Sequence, residues 1–191
     1  MATIHIIFGP QGSGKGTQAR ILAGKLGFFY WEMGGILREV AKEESGLGRE
    51  VKNMVDNGIL LPDELLYKVV ESRLSKININ QGVIFDGIPR RLGLAEFLLG
   101  YLKSQGRENF TTLFIDIPKE ESLARLLLRA KTEKRADDTK EKIEFRLEQY
   151  YKDTLPVVDY LKIQSNFIEI DGRPGMGEVT QAINQKLNIE T

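Results

Sequence analysis

The 191-residue chain has no cysteine and a single histidine, His5, and these two shortages exclude several kinds of chemistry. Without cysteine there is no disulfide scaffold, no thiol nucleophile and no thiolate ligand for zinc. One histidine also argues against a Ser-His-Asp hydrolase and against a metal site built from several imidazoles. We therefore expect no structural zinc.

Charge of one sign is not in excess either, because 27 basic side chains are balanced by 27 acidic ones. Proteins that bind nucleic acid usually have a clear basic excess, so the balance argues against a nucleic-acid partner. No apolar run approaches the roughly 18 residues that span a bilayer. Residues 1–8 lack the charged start and the length of a signal peptide. We expect a cytoplasmic, monomeric single-domain protein without a membrane partner.

Short runs of branched and aromatic residues alternate with longer stretches of helical periodicity. The predicted strands are 3–8, 28–31, 83–85, 111–117 and 167–170. The predicted helices are 15–26, 36–57 with a break near 45–48, 62–75, 92–104, 119–130, 139–161 and 178–187. This alternation predicts an α/β fold with a parallel sheet covered on both faces. Ligands bind such sheets beyond the carboxyl ends of the strands, so we expect the site just after the first four strands.

Residues 9–17, GPQGSGKGT, follow the first predicted strand and open the first predicted helix. Their spacing fits a P-loop, in which glycines let backbone N–H groups turn toward phosphates at a helix N-terminus. Lys15 then supplies a positive charge for the β- and γ-phosphates of a nucleotide. Most P-loops have Ser or Thr after the lysine as a magnesium ligand, whereas this chain has Gly16 followed by Thr17.

Asp86 ends the third predicted strand, which lies beside the first strand in a sheet of this kind. An aspartate at this place commonly holds magnesium or its bound water. A structural role as a helix cap or turn residue is the alternative, and the two roles can coexist.

Five arginines stand where strands end or charged segments begin: Arg90, Arg125, Arg129, Arg135 and Arg146. Each alone is typical of a solvated surface. Combined with a P-loop, the set favours phosphoryl transfer, because that reaction needs magnesium and cations around the transferring group. An acceptor phosphate is already anionic near neutral pH and needs no general base, so it fits this set better than a hydroxyl. An aspartate acting as base leaves a hydroxyl acceptor open.

These motifs resemble the adenylate kinase family of nucleoside monophosphate kinases over about residues 4–172. The matching segments are GPQGSGKGTQ at 9–18, GGILR at 34–38, GILLPDEL at 58–65, FDGIPR at 85–90, RLLLR at 125–129 and RADDTKEKIEFRLEQYYKDTLPVVDYL at 135–161. The short stretch between Arg129 and Arg135 is similar to the short-lid members. The resemblance implies a P-loop three-layer fold with a five-stranded parallel sheet, a mobile acceptor-binding insertion at about 32–61 and a short mobile lid at about 129–138.

The resemblance also implies Mg²⁺-dependent, reversible transfer of a phosphoryl group from ATP to AMP, giving two ADP. The implied ATP-binding residues are Gly12, Ser13, Gly14, Lys15, Gly16, Thr17 and Arg125. The implied acceptor-binding residues are Met33, Gly34, Arg38, Ile59, Leu61, Gly87, Arg90, Leu94, Arg135 and Arg146. The implied catalytic residues are Lys15, Arg90, Arg129, Arg135 and Arg146, with Asp86 holding magnesium through water. The acidic pair Asp137 and Asp138 would order lid closure.

The acceptor side departs from the family pattern. The usual Ser-Thr-Gly-Asp reads EMGG at 32–35, Arg91 replaces a threonine, and Leu94 replaces a glutamine that hydrogen-bonds the adenine of AMP. Leucine has neither a donor nor an acceptor, so discrimination between bases should suffer more than phosphate binding.

Three possibilities stay open for the acceptor. AMP is still used, through backbone groups near 59–61 and an apolar slot formed by Met33 and Leu94. Another nucleoside monophosphate, such as UMP, CMP or a deoxynucleotide, is preferred. Or the chain binds ATP with little acceptor turnover, as a non-catalytic protein would. We favour AMP, because the phosphate-handling residues are all present.

Overall fold

The computed structural model describes residues 3–57, 59, 61–133 and 139–190, with the side chain of Glu133 left aside. Its strands are β1 (Ile4–Phe8), β2 (Phe29–Glu32), β3 (Val83–Asp86), β4 (Phe110–Asp116) and β5 (Asn166–Asp171). Its helices are α1 (Lys15–Leu26), α2 (Met33–Val40), α3 (Gly46–Asp56), α4 (Asp63–Leu74), α5 (Leu92–Ser104), α6 (Lys119–Glu133), α7 (Lys140–Gln149), α8 (Leu155–Gln164) and α9 (Met176–Lys186). A π-helical turn, Tyr150–Thr154, joins α7 to α8.

The five strands form one parallel sheet in the order β2-β3-β1-β4-β5, which confirms the predicted fold class. All five residues of the central strand β1 are buried, as expected where both faces of a sheet are covered. In β1, Ile6 belongs to the larger hydrophobic core and Ile7 to the core on the opposite face, because successive side chains of a strand alternate between faces.

The strand order places the site. From β1 the chain runs to one side of the sheet for β2 and β3 and later to the other side for β4 and β5. Ligands bind beyond the carboxyl ends of the strands at such a switch point. Ile7 pairs with Asp86, so the end of β3 lies directly beside the loop that follows β1.

Helices α2, α3 and α4 form an excursion between β2 and β3. The predicted helix 36–57 is divided into α2 and α3, but the break lies at 41–45, mostly before the predicted 45–48, because α3 already begins at Gly46. The Ser45 hydroxyl caps α3 by accepting a hydrogen bond of 2.9 Å from the Gly48 N–H. Helix α2 begins at Met33, three residues earlier than predicted, because the chain turns into it directly from the end of β2.

The predicted helix 139–161 is interrupted by the π turn. The Leu155 N–H bonds the Tyr150 carbonyl, five residues back, just before Pro156, whose nitrogen has no hydrogen to donate. Helix α6 extends three residues further than predicted. Within the described ranges, no helix has the length and hydropathy needed to cross a membrane.

Candidate active site

A cleft of about 790 Å³ opens where β1, β2 and β3 end, at the edge of the sheet that the sequence predicted. It brings together twelve residues of the sequence-predicted set: Gly12, Gly14, Lys15, Gly16, Thr17, Met33, Gly34, Asp86, Gly87, Arg90, Arg125 and Arg129. Sequence reasoning missed six further lining residues: Arg20, Tyr30, Glu32, Leu126, Leu128 and Thr132. Arg135, Asp137 and Asp138 lie outside the described residues, so their predicted roles are not addressed by this geometry.

The phosphate loop is held in shape by the elements around it. Gly9 has φ +147°, and a Cβ there would lie 2.2 Å from the Ile115 carbonyl oxygen, so only glycine fits. The Ser122 hydroxyl on α6 donates to the Gln11 carbonyl, and the Gln11 amide donates to the Arg146 carbonyl on α7 at 3.3 Å. The loop is therefore pre-formed rather than shaped only by a ligand. Predicted Ser13 is buried within it.

Lys15 lies where the positive charges of the cleft converge. Its ammonium donates to the Pro10 carbonyl at 3.2 Å. The pKa of Lys15 is lowered to about 8, chiefly by burial and then by the Arg90 guanidinium, while the Asp86 carboxylate acts in the opposite direction. Arg129 and Arg146 also lower the pKa of Lys15, each by less than Arg90 does. Cations that crowd one another in this way favour a bound polyanion.

We predict that ATP binding weakens as pH rises through about 8. The protonated lysine binds phosphate, and a pKa of about 8 means that it loses its proton above that pH in the nucleotide-free protein. Each further pH unit should raise the Kd for ATP by up to about tenfold. Calorimetric titrations between pH 7 and 9.5 measure this, and the dependence should vanish in Lys15→Met. Wild-type affinity that stays flat over this range would contradict the assignment.

Asp86 is fixed by a tyrosine that the sequence did not single out. The Tyr30 hydroxyl donates to Asp86 Oδ2 at 2.6 Å, and burial together with this hydrogen bond raises the pKa of Tyr30. A Cβ on Gly16 would lie 3.0 Å from the same oxygen, so the carboxylate takes the space beside this position of the loop. The sequence signal that could have identified Tyr30 is its place near the end of β2, the strand that pairs with β3.

The donor set at Asp86 suits magnesium bound mainly by a nucleotide. The described residues contain no group of three or more His, Cys, Asp or Glu side chains that could hold a metal by themselves. Mg²⁺ commonly takes one or two carboxylates together with water and substrate phosphates. The Asp86 carboxylate, which faces the cleft beside the phosphate loop, fits that pattern.

Two arginines of the cleft are oriented by backbone carbonyls. Arg90 Nε donates to the Gly87 carbonyl at 2.8 Å, and the Thr154 hydroxyl donates to the Arg90 carbonyl at 3.2 Å. Arg125 Nε donates to Glu121 at 2.6 Å, while its other two nitrogens donate to the carbonyls of residues 172 and 173, each at 2.9 Å. The Arg125 guanidinium plane is thereby fixed at the rim of the cleft.

The predicted acceptor residues divide into two groups. Met33 and Gly34 line the cleft, whereas Arg38 lines a second cavity, formed by α2 and α3, and pairs with the cleft residue Glu32 at 3.5 Å. Leu61 and Leu94 are buried in the larger core, 8% and 4% exposed, while Ile59 is 52% exposed. The apolar spacing of α5, with Leu94, Ala95, Leu98, Leu99 and Leu102 buried, was the signal that Leu94 faces the core. A role of Leu94 and Leu61 at the acceptor base stays a prediction.

Arg91 fixes the segment that leads into α4. Its guanidinium donates to the Leu61 carbonyl at 3.3 Å and pairs with Asp63 at 2.6 Å. The position where the family has threonine thus carries a cation that joins the start of α5 to the start of α4.

Comparison with known proteins gives a consistent result. The family model described as adenylate kinase matches residues 7–166. The chain is 40% identical over 167 residues to an adenylate kinase of Phocaeicola vulgatus, covering 87% of this chain and 88% of the relative. It is 39% identical over 178 residues to an adenylate kinase of a Cyanothece species, covering 93% and 91%. Adenylate kinase 1 of a Nostoc species is 39% identical over 182 residues, covering 95% and 97%.

The parallel sheet, its phosphate loop and the arginine-lined cleft define a P-loop phosphotransferase of the nucleoside monophosphate kinase type. The family model covers most of the chain, and relatives of nearly equal length match it. The chain belongs to the adenylate kinase family.

Proposed function

We propose that the chain catalyses reversible transfer of the γ-phosphoryl group of Mg²⁺-ATP to AMP, giving two ADP. The observation that carries this proposal is the cleft at the carboxyl ends of the strands, where Lys15 of the phosphate loop lies together with Arg90 and Arg129. Phosphoryl transfer depends on such positioned cations more than on covalent help from the protein. The names of the relatives, all adenylate kinases, support the same reaction.

On the donor side, the loop N–H groups and Lys15 would bind the β- and γ-phosphates. Arg125, fixed by three hydrogen bonds at the rim, would lie against the adenine of ATP. Asp86, held by Tyr30, would orient the water bound to Mg²⁺. The Mg²⁺ ion supplies charge neutralisation between the β- and γ-phosphates when the nucleotide is bound.

On the acceptor side, Arg90 and Arg38 would bind the phosphate of AMP and place its oxygen for attack. That oxygen is already anionic near neutral pH, so the step needs no general base. Met33 and Gly34 line the cleft, and a Cβ on Gly34 would lie 3.2 Å from the Arg38 guanidinium, which supports their place beside the acceptor. Arg129, Arg135 and Arg146 would stabilise charge on the transferring group.

We further propose that segments 32–61 and 129–138 close over the two nucleotides. Closure would exclude water, which otherwise competes with AMP for the phosphoryl group. We propose that the protein acts as a monomer. Its substrates are nucleotides of the cytoplasm, where we place it.

The experiment that tests the acceptor is a coupled assay with Mg²⁺-ATP and each of AMP, CMP, UMP, GMP and dTMP. The proposal predicts the highest kcat/KM with AMP. If AMP supports the slowest conversion of the five, the choice of AMP is wrong. If no monophosphate supports turnover while ATP still binds, the chain is not a kinase.

The Tyr30 hydroxyl gives a separate prediction about magnesium. Tyr30→Phe removes the hydrogen bond that holds Asp86, so the Mg²⁺ concentration that half-saturates ATP binding should rise about three- to tenfold. Calorimetric titration of ATP at several Mg²⁺ concentrations measures this without turnover. Tyr160→Phe on α8 is the matched control. Equal Mg²⁺ dependence in the two variants would show that Tyr30 does not position the carboxylate.

A further inference from the structure

The Glu32 carboxylate lies beside Arg38 and Arg90, the two arginines that would bind the acceptor phosphate. Glu32 pairs with Arg38 at 3.5 Å and lines the cleft together with Arg90. Desolvation lowers the pKa of Arg90, and the Asp86 and Glu32 carboxylates both act to raise it. Glu32 is thus in electrostatic contact with both proposed phosphate-binding cations.

The local sequence makes room for this carboxylate. A Cβ on Gly34 would lie 2.8 Å from Glu32 Oε1, and a Cβ on Gly35 would lie 3.2 Å from Glu32 Oε2. Residues with side chains at 34 and 35 would therefore displace the carboxylate or press against it. Glu32 also directly precedes α2, and negative charge is stabilised near the N-terminus of a helix. The carboxylate occupies surroundings that suit a phosphate.

The ion pair between Glu32 and Arg38 is open to solvent, and another anion can take the place of the carboxylate. The side chains of Arg38 and Glu32 are 64% and 42% exposed. Exposed ion pairs at such distances contribute little, so a stronger anion can replace the carboxylate without disrupting the fold. A phosphate dianion, with more charge and more acceptor oxygens than a carboxylate, is such an anion.

We propose that Glu32 is an internal competitor of the acceptor phosphate, which must displace its carboxylate from Arg38. This inference rests on the proposed function, because it takes Arg38 as a ligand of the acceptor phosphate. Glu32 sets the affinity for the acceptor, and with it the concentration range in which the enzyme responds to the acceptor. The chemistry of phosphoryl transfer itself is not assigned to Glu32.

The test is a double-substitution cycle on AMP binding. Glu32→Gln keeps the shape of the side chain and removes its charge, so the Kd for AMP, measured by calorimetry without ATP, should fall roughly three- to tenfold. Arg38→Met should weaken AMP binding, and in that background Glu32→Gln should tighten it much less, because only its effect on Arg90 remains. In steady-state kinetics the gain should appear in the KM for AMP rather than in kcat, a split that a merely structural role would not produce.

Glu39→Gln is the matched control, because it removes one negative charge at an exposed position of α2, the helix that Glu32 directly precedes. It should leave the Kd for AMP within about twofold. Unchanged or weaker AMP binding in Glu32→Gln would overturn the proposal. Equal tightening with and without Arg38 would also overturn it, since the effect would then be general charge repulsion.

Failure of this proposal is distinguishable from failure of the proposed function. Absence of AMP-dependent turnover in the wild-type protein would reject the kinase assignment, whereas the binding cycle reports on Glu32 without turnover. Glu32→Ser serves as a second variant that removes the charge. If it also fails to tighten AMP binding, the competition between carboxylate and phosphate is absent.

Discussion

Replacing Lys15 by methionine should lower kcat/KM for ATP by about 10³-fold, the scale seen when a pre-positioned charge donor is removed from a transition state. The ammonium donates to the Pro10 carbonyl and lies within the field of Arg90, so it is fixed before the nucleotide arrives. Methionine has a similar length and no charge. Initial-rate measurements at pH 7, where the wild-type lysine is protonated, give the comparison.

The same substitution should raise the stability of the protein. Because the folded-state pKa of Lys15 is about 8, below its ordinary value, the folded protein bears an unfavourable charge at pH 7. This loss of unfolding free energy is fully present below pH 8. It decreases as the folded-state lysine loses its proton above pH 8, and it vanishes once the lysine of the unfolded chain is also neutral. A higher midpoint of thermal unfolding with lost activity would separate loss of function from misfolding.

Lys25→Met, at the exposed C-terminal end of α1, is the control. It should change neither kcat/KM for ATP nor the midpoint of thermal unfolding appreciably. Activity of Lys15→Met within about tenfold of the wild type would show that this lysine does not act on the transferring group.

Replacing Arg90 by methionine should lower AMP-dependent turnover by about 10²- to 10³-fold while ATP still binds. The Arg90 guanidinium is oriented by the Gly87 carbonyl, and the Thr154 hydroxyl fixes its backbone, so the loss is that of a positioned charge. Removing Arg90 also removes a cation that lowers the pKa of Lys15. The pH at which ATP binding weakens should therefore move upward in this variant.

Turnover and ATP binding are measured separately for Arg90, by coupled assay and by calorimetry. Arg49→Met, on the exposed surface of α3, is the matched control. If turnover survives in Arg90→Met, or if ATP affinity falls as far as turnover does, Arg90 is not an acceptor ligand.

The fold was predictable to within one residue at each strand end, because its signals are local. Every strand contains a short run of branched or aromatic residues, and α1 and α5 have the predicted bounds. The start of α2 was not predictable, since Gly34 and Gly35 have low helix propensity and are helical only through the turn from β2. The π turn before Pro156 likewise depends on packing that a sequence pattern does not express.

The features of the site that depend on strand order were predictable from the sequence. The features that depend on contacts between side chains were not. The pairing of Ile7 with Asp86 follows from a parallel sheet, so the carboxylate was expected beside the phosphate loop. The Tyr30–Asp86 hydrogen bond and the Glu32–Arg38 pair depend on how side chains of β2 and α2 are oriented. No spacing rule reports these orientations.

Phosphoryl transfer between nucleotides is tested by a reaction with ADP as the only nucleotide. Purified protein, ADP and Mg²⁺ are followed by phosphorus magnetic resonance until the spectrum stops changing. ATP and AMP should appear in equal amounts and no inorganic phosphate should accumulate, because the proposed closure of the cleft keeps water from the phosphoryl group. Release of inorganic phosphate without ATP, or no change in the ADP signals, would contradict this prediction.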